Sequence, residues 1–148
     1  MSKEQNKKLT LAELVAKKKQ REKEEIKIGT FYCEKEDAEF TFKKLEEEEF
    51  FYMIDKYGNA LEKDSKISET IEFMNALIYH CVLLEDNKKL SDKEVREILG
   101  VTDNKDIINK SAKALIDSFK ERIEFGAYIL EFSDFSDKGN KNVEEIKN

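Results

Sequence analysis

The chain has 148 residues, enough for one domain, and 41% of them are charged: 27 Lys or Arg against 33 Asp or Glu, a formal net charge of -6. This surplus of negative charge argues against a nucleic-acid role, because phosphate binding needs a basic face. No apolar run approaches the roughly 18 residues of a membrane span, while ten Phe and five Tyr supply a core despite a mean hydropathy of -0.71.

Residues 1–8 are polar, with lysines but no apolar signal core behind them, and read as a disordered N-terminus of a cytoplasmic, non-secreted chain. A helical arm follows over residues 9–25. Thr10 is its N-cap, Leu11, Leu14 and Val15 form a short apolar stripe, and residues 17–25 are almost wholly charged. A helix that buries only its first turns is weakly anchored to its own core. The stripe has two readings: it folds back on the hairpin as core, or it docks in a partner's groove.

From Ile26 the periodicity changes to alternation, giving a β-hairpin over residues 26–45. Ile28, Thr30, Phe31, Tyr32 and Cys33 suit a strand, and Glu34-Lys35-Glu36-Asp37 is a polar turn. Ala38, Phe40 and Phe42 then share one face while Glu39, Thr41 and Lys43 share the other. Two strands are marginal in water, so the Phe40/Phe42 face must pack on helices.

The helical part spans residues 46–136. Glu46 to Glu49 lead into Phe50, Phe51, Met53, Ile54 and Tyr57, with carboxylates at the positive end of the helix dipole and Gly58-Asn59 as the stop. Ser65 or Ser68 starts the most apolar helix, where Ile67, Ile71, Met74, Leu77, Ile78, Cys81 and Val82 recur at helical spacing and mark the central core helix. Ser91-Asp92-Lys93-Glu94 fits a capping box, Val95, Ile98 and Leu99 follow, and Gly100 closes that helix. Apolar positions continue from Ile107 to Leu130, with a second capping box at Ser118-Phe119-Lys120-Glu121 that predicts a break near Asp117. Residues 137–148 read as a flexible tail.

No constellation for catalysis or metal binding emerges, so neither an enzyme nor a cofactor is expected. His80 is the only histidine, and its neighbour Cys81 projects about 100° away on a helix, so the two cannot chelate one ion. Cys33 and Cys81 form no CxxC pair and read as packed, reduced thiols. Asp55-Lys56-Tyr57-Gly58-Asn59 fails as a calcium loop, because Tyr57, Ala60 and Lys66 occupy positions that need an oxygen ligand, a glycine and a glutamate. The five glycines form neither GxGxxG nor a P-loop. The competing functional pattern is residues 90–115, whose helix-glycine-turn-helix rhythm is that of helix-turn-helix DNA readers. Lys105, Lys110 and Lys113 would then face phosphates, but Asp103 and Asp106 would meet them first.

Taken together, the chain resembles the XkdN-like family of phage tail assembly chaperones. The resemblance rests on Leu9-Thr10-Leu11-Ala12-Glu13-Leu14 leading into the basic stretch 17–23, the hairpin through Phe31 and Phe42, the segment from Glu94 to Gly100, and Ile129-Leu130-Glu131-Phe132-Ser133 after Glu124-Phe125. It covers residues 9–135. Family members often carry Ser-Gly-Phe near the end, where this chain has Ser133-Asp134-Phe135. The resemblance implies a protein that binds the tape measure protein, keeps it soluble while tail tube subunits polymerise around it, and leaves before the tail is complete. It also implies a longer, frameshifted form of the chain as a companion, and action in the bacterial host cytoplasm rather than in the mature particle.

The expectation is therefore an α+β, mainly α fold: a single domain over residues 9–136 with the arm helix, one β-hairpin and four to five helices around a central helix. The functional expectation is a tail assembly chaperone with the tape measure protein as client and the tail tube protein as a second one. Leu11, Leu14 and Val15 are the expected partner contacts, with no membrane and no nucleic acid involved. The alternative is a helix-turn-helix regulator.

Overall fold

The computed structural model describes residues 8–24, 27–58, 62 and 64–135. Among them the chain runs α1 (Leu11–Glu24), β1 (Ile28–Cys33), β2 (Ala38–Lys43), α2 (Glu47–Tyr57), α3 (Ile67–Cys81), β3 (Val82–Leu83), α4 (Lys93–Leu99), α5 (Ile107–Leu115) and α6 (Phe119–Phe132). The fold is α+β and mainly helical. The expected N-terminal disorder before Lys8, the Asn59 stop and the tail 137–148 lie outside the described residues.

Helix α3 occupies the centre, packed against α2, α5 and α6. Phe73, Leu77, Ile78 and Cys81 are fully buried along it. The apolar periodicity does not carry Val82 into the helix, however. The chain leaves α3 after Cys81 in an extended conformation, and Val82 and Leu83 pair antiparallel with Phe42 and Thr41. The hairpin thereby becomes a three-stranded sheet of order β1-β2-β3. A two-residue strand carries too little pattern to be read as one, since its signal is indistinguishable from the end of a buried helix.

The hairpin register runs from Ile28↔Lys43 to Cys33↔Ala38, and the turn closes with Asp37 at φ 49, a left-handed position that aspartate tolerates. Its inner face meets α6 through rings. Phe31 stacks on Phe125 at 4.7 Å, and Phe42 sets its edge against Phe125, Tyr128 and Phe132. This is the helix packing that the alternating aromatics demand.

The helix starts follow one rule more often than the serines suggest. At α1, α2 and α3 a glutamate three residues beyond the cap accepts the cap residue's own N–H: Glu13 from Thr10 at 3.0 Å, Glu49 from Glu46 at 3.0 Å and Glu69 from Lys66 at 2.9 Å. Neither Ser65 nor Ser68 is the cap of α3, and α4 is capped by Asp92 rather than Ser91, because a turn from Lys89 to Asp92 delays its first helical residue. Gly58 stays right-handed at the end of α2 and is not a left-handed stop, whereas Gly100 ends α4 at φ 79. The break near Asp117 is real. Residues 116–118 are non-helical, and Ser118 Oγ accepts the N–H of Glu121 at 3.4 Å.

Two features hold α6 in place. The Arg122 guanidinium is buried; its Nε donates to Asn75 Oδ1 at 2.9 Å, and its Nη1 donates to the carbonyls of Ile116 and Asp117 at 2.7 and 2.8 Å. Gly126 lies where α6 crosses α3, and a Cβ there would come within 3.0 Å of the Met74 Cα. Replacing Arg122 with Ala removes three charge-assisted bonds and leaves buried acceptors unpaired, so urea denaturation should show a loss of about 3 kcal/mol. Gly126→Ala should cost about 2 kcal/mol in the same experiment, because backbone cannot yield as a side chain does.

Candidate partner-binding surface

Helix α1 is locally well specified and globally uncovered. Thr10 and Glu13 form a reciprocal box, in which Thr10 Oγ1 accepts the Glu13 N–H at 3.1 Å. The bond from the Thr10 N–H holds the Glu13 carboxyl below its usual range. Yet every residue of α1 from Leu11 to Lys23 is exposed. Leu11 is 77%, Leu14 50% and Val15 44% accessible, so the stripe stands outside the core. Lys17, Lys18, Lys19, Arg21 and Lys23 continue the helix behind it.

A second surface was not visible in the sequence. Phe51 and Tyr52 on α2 are 55% and 58% accessible, while Met53 beside them is buried. Glu47, Glu48 and Asp55 are exposed on the same helix. Spacings of four residues put Glu47, Phe51 and Asp55 in one row and Glu48 and Tyr52 in the next. In the sequence these aromatics look like core, and only the position of Met53 shows which side of α2 faces inward.

Beside this face a shallow groove is lined by Glu48, Glu49, Tyr52, Met53 and His80. Burial pushes the Glu49 carboxyl up, but two short bonds from Lys43 Nζ, at 2.6 and 2.7 Å, and the Glu46 N–H outweigh it and hold the carboxyl below its usual range. His80 is pulled below its ordinary value chiefly by burial, with Glu49 opposing and Lys43 and Lys56 assisting.

The remaining chemistry-bearing residues are dispersed. Among the described residues no group of three His, Cys, Asp or Glu side chains is placed to hold a metal. Cys33 and Cys81 are both buried, free thiols. Burial pushes each up to about 12, with Glu121, Glu36 and Glu124 adding to the effect at Cys33, so both stay protonated at neutral pH. Helices α4 and α5 are present, but α5 is capped by Asp106 (φ 53), and Lys110 Nζ lies 3.4 Å from Asp103 Oδ2. Lys105, Lys110 and Lys113 are exposed, and Lys110 and Lys113 share this surface with Asp103 and Asp117. Among the described residues no helix is long and apolar enough to cross a membrane.

At the end of the domain, Ser133 is buried and its Oγ accepts the Leu45 N–H at 2.8 Å. Phe135 stacks on Phe50 at 4.2 Å, and Asp134 between them has φ 65, a conformation that glycine adopts without strain. Comparisons of the chain with protein-family profiles, curated proteins and solved structures found no match.

The half-buried His80 gives the groove a pH dependence. Its folded pKa lies below the ordinary 6.5, so the unfolded chain takes up the proton first. The stabilising contribution is complete above the unfolded value and is lost as the pH falls through it toward the folded value. Urea midpoints should therefore decline as the pH falls through the ordinary histidine value of 6.5 and below it, and His80→Gln should flatten that slope.

Proposed function

We propose that this protein is a non-enzymatic assembly chaperone of a phage or phage-like contractile tail. It binds the tape measure protein in the bacterial host cytoplasm, with the tail tube protein as a second client, and is released before the particle is complete. A frameshift-extended form of the chain belongs to the same reading.

The observation that carries the proposal is the α1 stripe: three apolar side chains at helical spacing, exposed, on a helix whose other faces are charged. A small greasy patch ringed by charge suits a client that exposes apolar helical stripes before assembly, because it binds such stripes weakly and lets them go. The resemblance to XkdN-like chaperones supports the reading through a further detail. The left-handed Asp134 between Ser133 and Phe135 stands where the family pattern has glycine, the residue best suited to that backbone conformation.

Coexpression with a tape measure protein should raise the client's soluble fraction and yield a co-purifying complex. Leu11→Asp with Leu14→Asp should abolish both effects while the chaperone still folds, because neither side chain belongs to the domain core. Unchanged client aggregation with the unmodified chaperone would refute the proposal.

A further inference from the structure

Charge is unevenly divided along this chain. Residues 1–24 hold eight Lys or Arg against four Glu, leaving 19 against 29 in the rest. A basic arm thus projects from a strongly acidic body. Both of the uncovered faces described above are amphipathic, and their chemistries match. The α1 face carries Leu11, Leu14 and Val15 followed by Lys18 and Lys19. The α2 face carries Phe51 and Tyr52 preceded by Glu47 and Glu48. Laid antiparallel with Leu14 opposite Tyr52 and Val15 opposite Phe51, the two helices bring Lys18 opposite Glu48 and Lys19 opposite Glu47.

Within one chain the arm does not lie on this face: Leu11 to Lys23 are all exposed, and so are Phe51 and Tyr52. The Lys44 N–H donates to the Lys27 carbonyl at 2.7 Å and fixes the strand ends together. Three positions before Lys27 is the end of α1, and three positions after Lys44 is the start of α2. Equal connections favour an arm folded back antiparallel with those two ends level. Lys19 and Gln20 would then lie over Tyr52 and Phe51, and the apolar stripe would pass beyond them. The matched register lies five residues away, about 7.5 Å of helix.

We propose that α1 of one copy docks on the Glu47/Glu48/Phe51/Tyr52 face of α2 in a second copy, reciprocally, so that the free protein is an arm-exchanged dimer. A second copy is the occupant that brings this basic amphipathic helix to the acidic face in the matched register, with no five-residue slip to absorb. Two reciprocal contacts make the association isologous and closed, which ends it at the dimer. The contact couples a small apolar centre to a charged rim, so its affinity falls with salt. This inference goes beyond the chaperone reading and does not need it, and its test uses the full chain with no client present.

Sedimentation of the full chain over a concentration series should show a monomer–dimer equilibrium that weakens as salt is raised. Leu14→Asp and Phe51→Ser, both at exposed positions, should each weaken it about tenfold or more. Disulfide trapping separates the geometries. A mixture of Lys18→Cys chains with Glu48→Cys chains should form a covalent heterodimer faster than either forms a homodimer, with the native thiols buried. A monomer at every concentration, a dimer indifferent to both surface variants, or a Lys18→Cys/Glu48→Cys double variant that closes within one chain would each overturn the proposal. Failure here with successful client capture would leave the chaperone reading standing, and the reverse outcome would remove only that reading.

Discussion

The buried guanidinium of Arg122 ties together three of the helices that build the core, α3, α5 and α6. It sits at the break between α5 and α6, where helix ends leave carbonyls without intrahelical donors, and it satisfies two of them at once. Its third bond reaches Asn75 in the middle of α3, and Asn75 Nδ2 donates in turn to Asn109 Oδ1 on α5 at 2.9 Å. Asn109 Nδ2 closes the series on Asp106, the left-handed cap of that helix, at 2.8 Å. Arg122 is a charge without a carboxylate among these partners, and burial lowers its pKa despite the countereffect of Asp117. Such a group is costly to bury unless its donors are used, and three of its N–H groups are. The network converts a break in the apolar pattern into a fixed corner.

That corner aims α6 at the sheet. With Gly126 letting α6 approach Met74 closely, Phe125 lands under Phe31 and Phe40, and Tyr128 and Phe132 close on Phe42. Offset and edge contacts between rings add to the burial of their area. The sheet is therefore covered by one aromatic helix on its inner face, and β3 extends it from the end of the central helix. Polar pinning and aromatic packing act on opposite ends of the same helix.

Elements with strong local signals were legible in the sequence. Thr10, the alternation of Phe40 and Phe42, the apolar run of α3, Gly100 and the Ser118 cap all mark what the structure contains, although at Ser118 only the serine half of the expected box is made. The misses share a physical cause. A cap made by a glutamate three residues on, as at Lys66, is invisible when attention goes to the cap residue. The strand β3 exists through pairing with Phe42 and Thr41, which no local pattern encodes. Arg122 looks like one more surface charge until Asn75 and the Ile116 carbonyl are seen around it. As for the candidate surface, Leu11, Leu14 and Val15 could be singled out because their stripe is short and isolated. Phe51 and Tyr52 could not, because exposure is a tertiary property, and an aromatic pair beside Met53 reads as core.

The first turn of α2 is sealed from the far end of the domain. The Leu45 amide finds its acceptor on Ser133, and the Phe50 ring finds its mate in Phe135, partners that stand 88 and 85 positions later. A ribosome makes these groups in the order in which they are numbered. While the chain is being synthesised, the hairpin and the central helix emerge with this seam open, and only the three residues after α6 can shut it. Completion of the body is thus deferred until Ser133 and Phe135 have been made, after every helix described above.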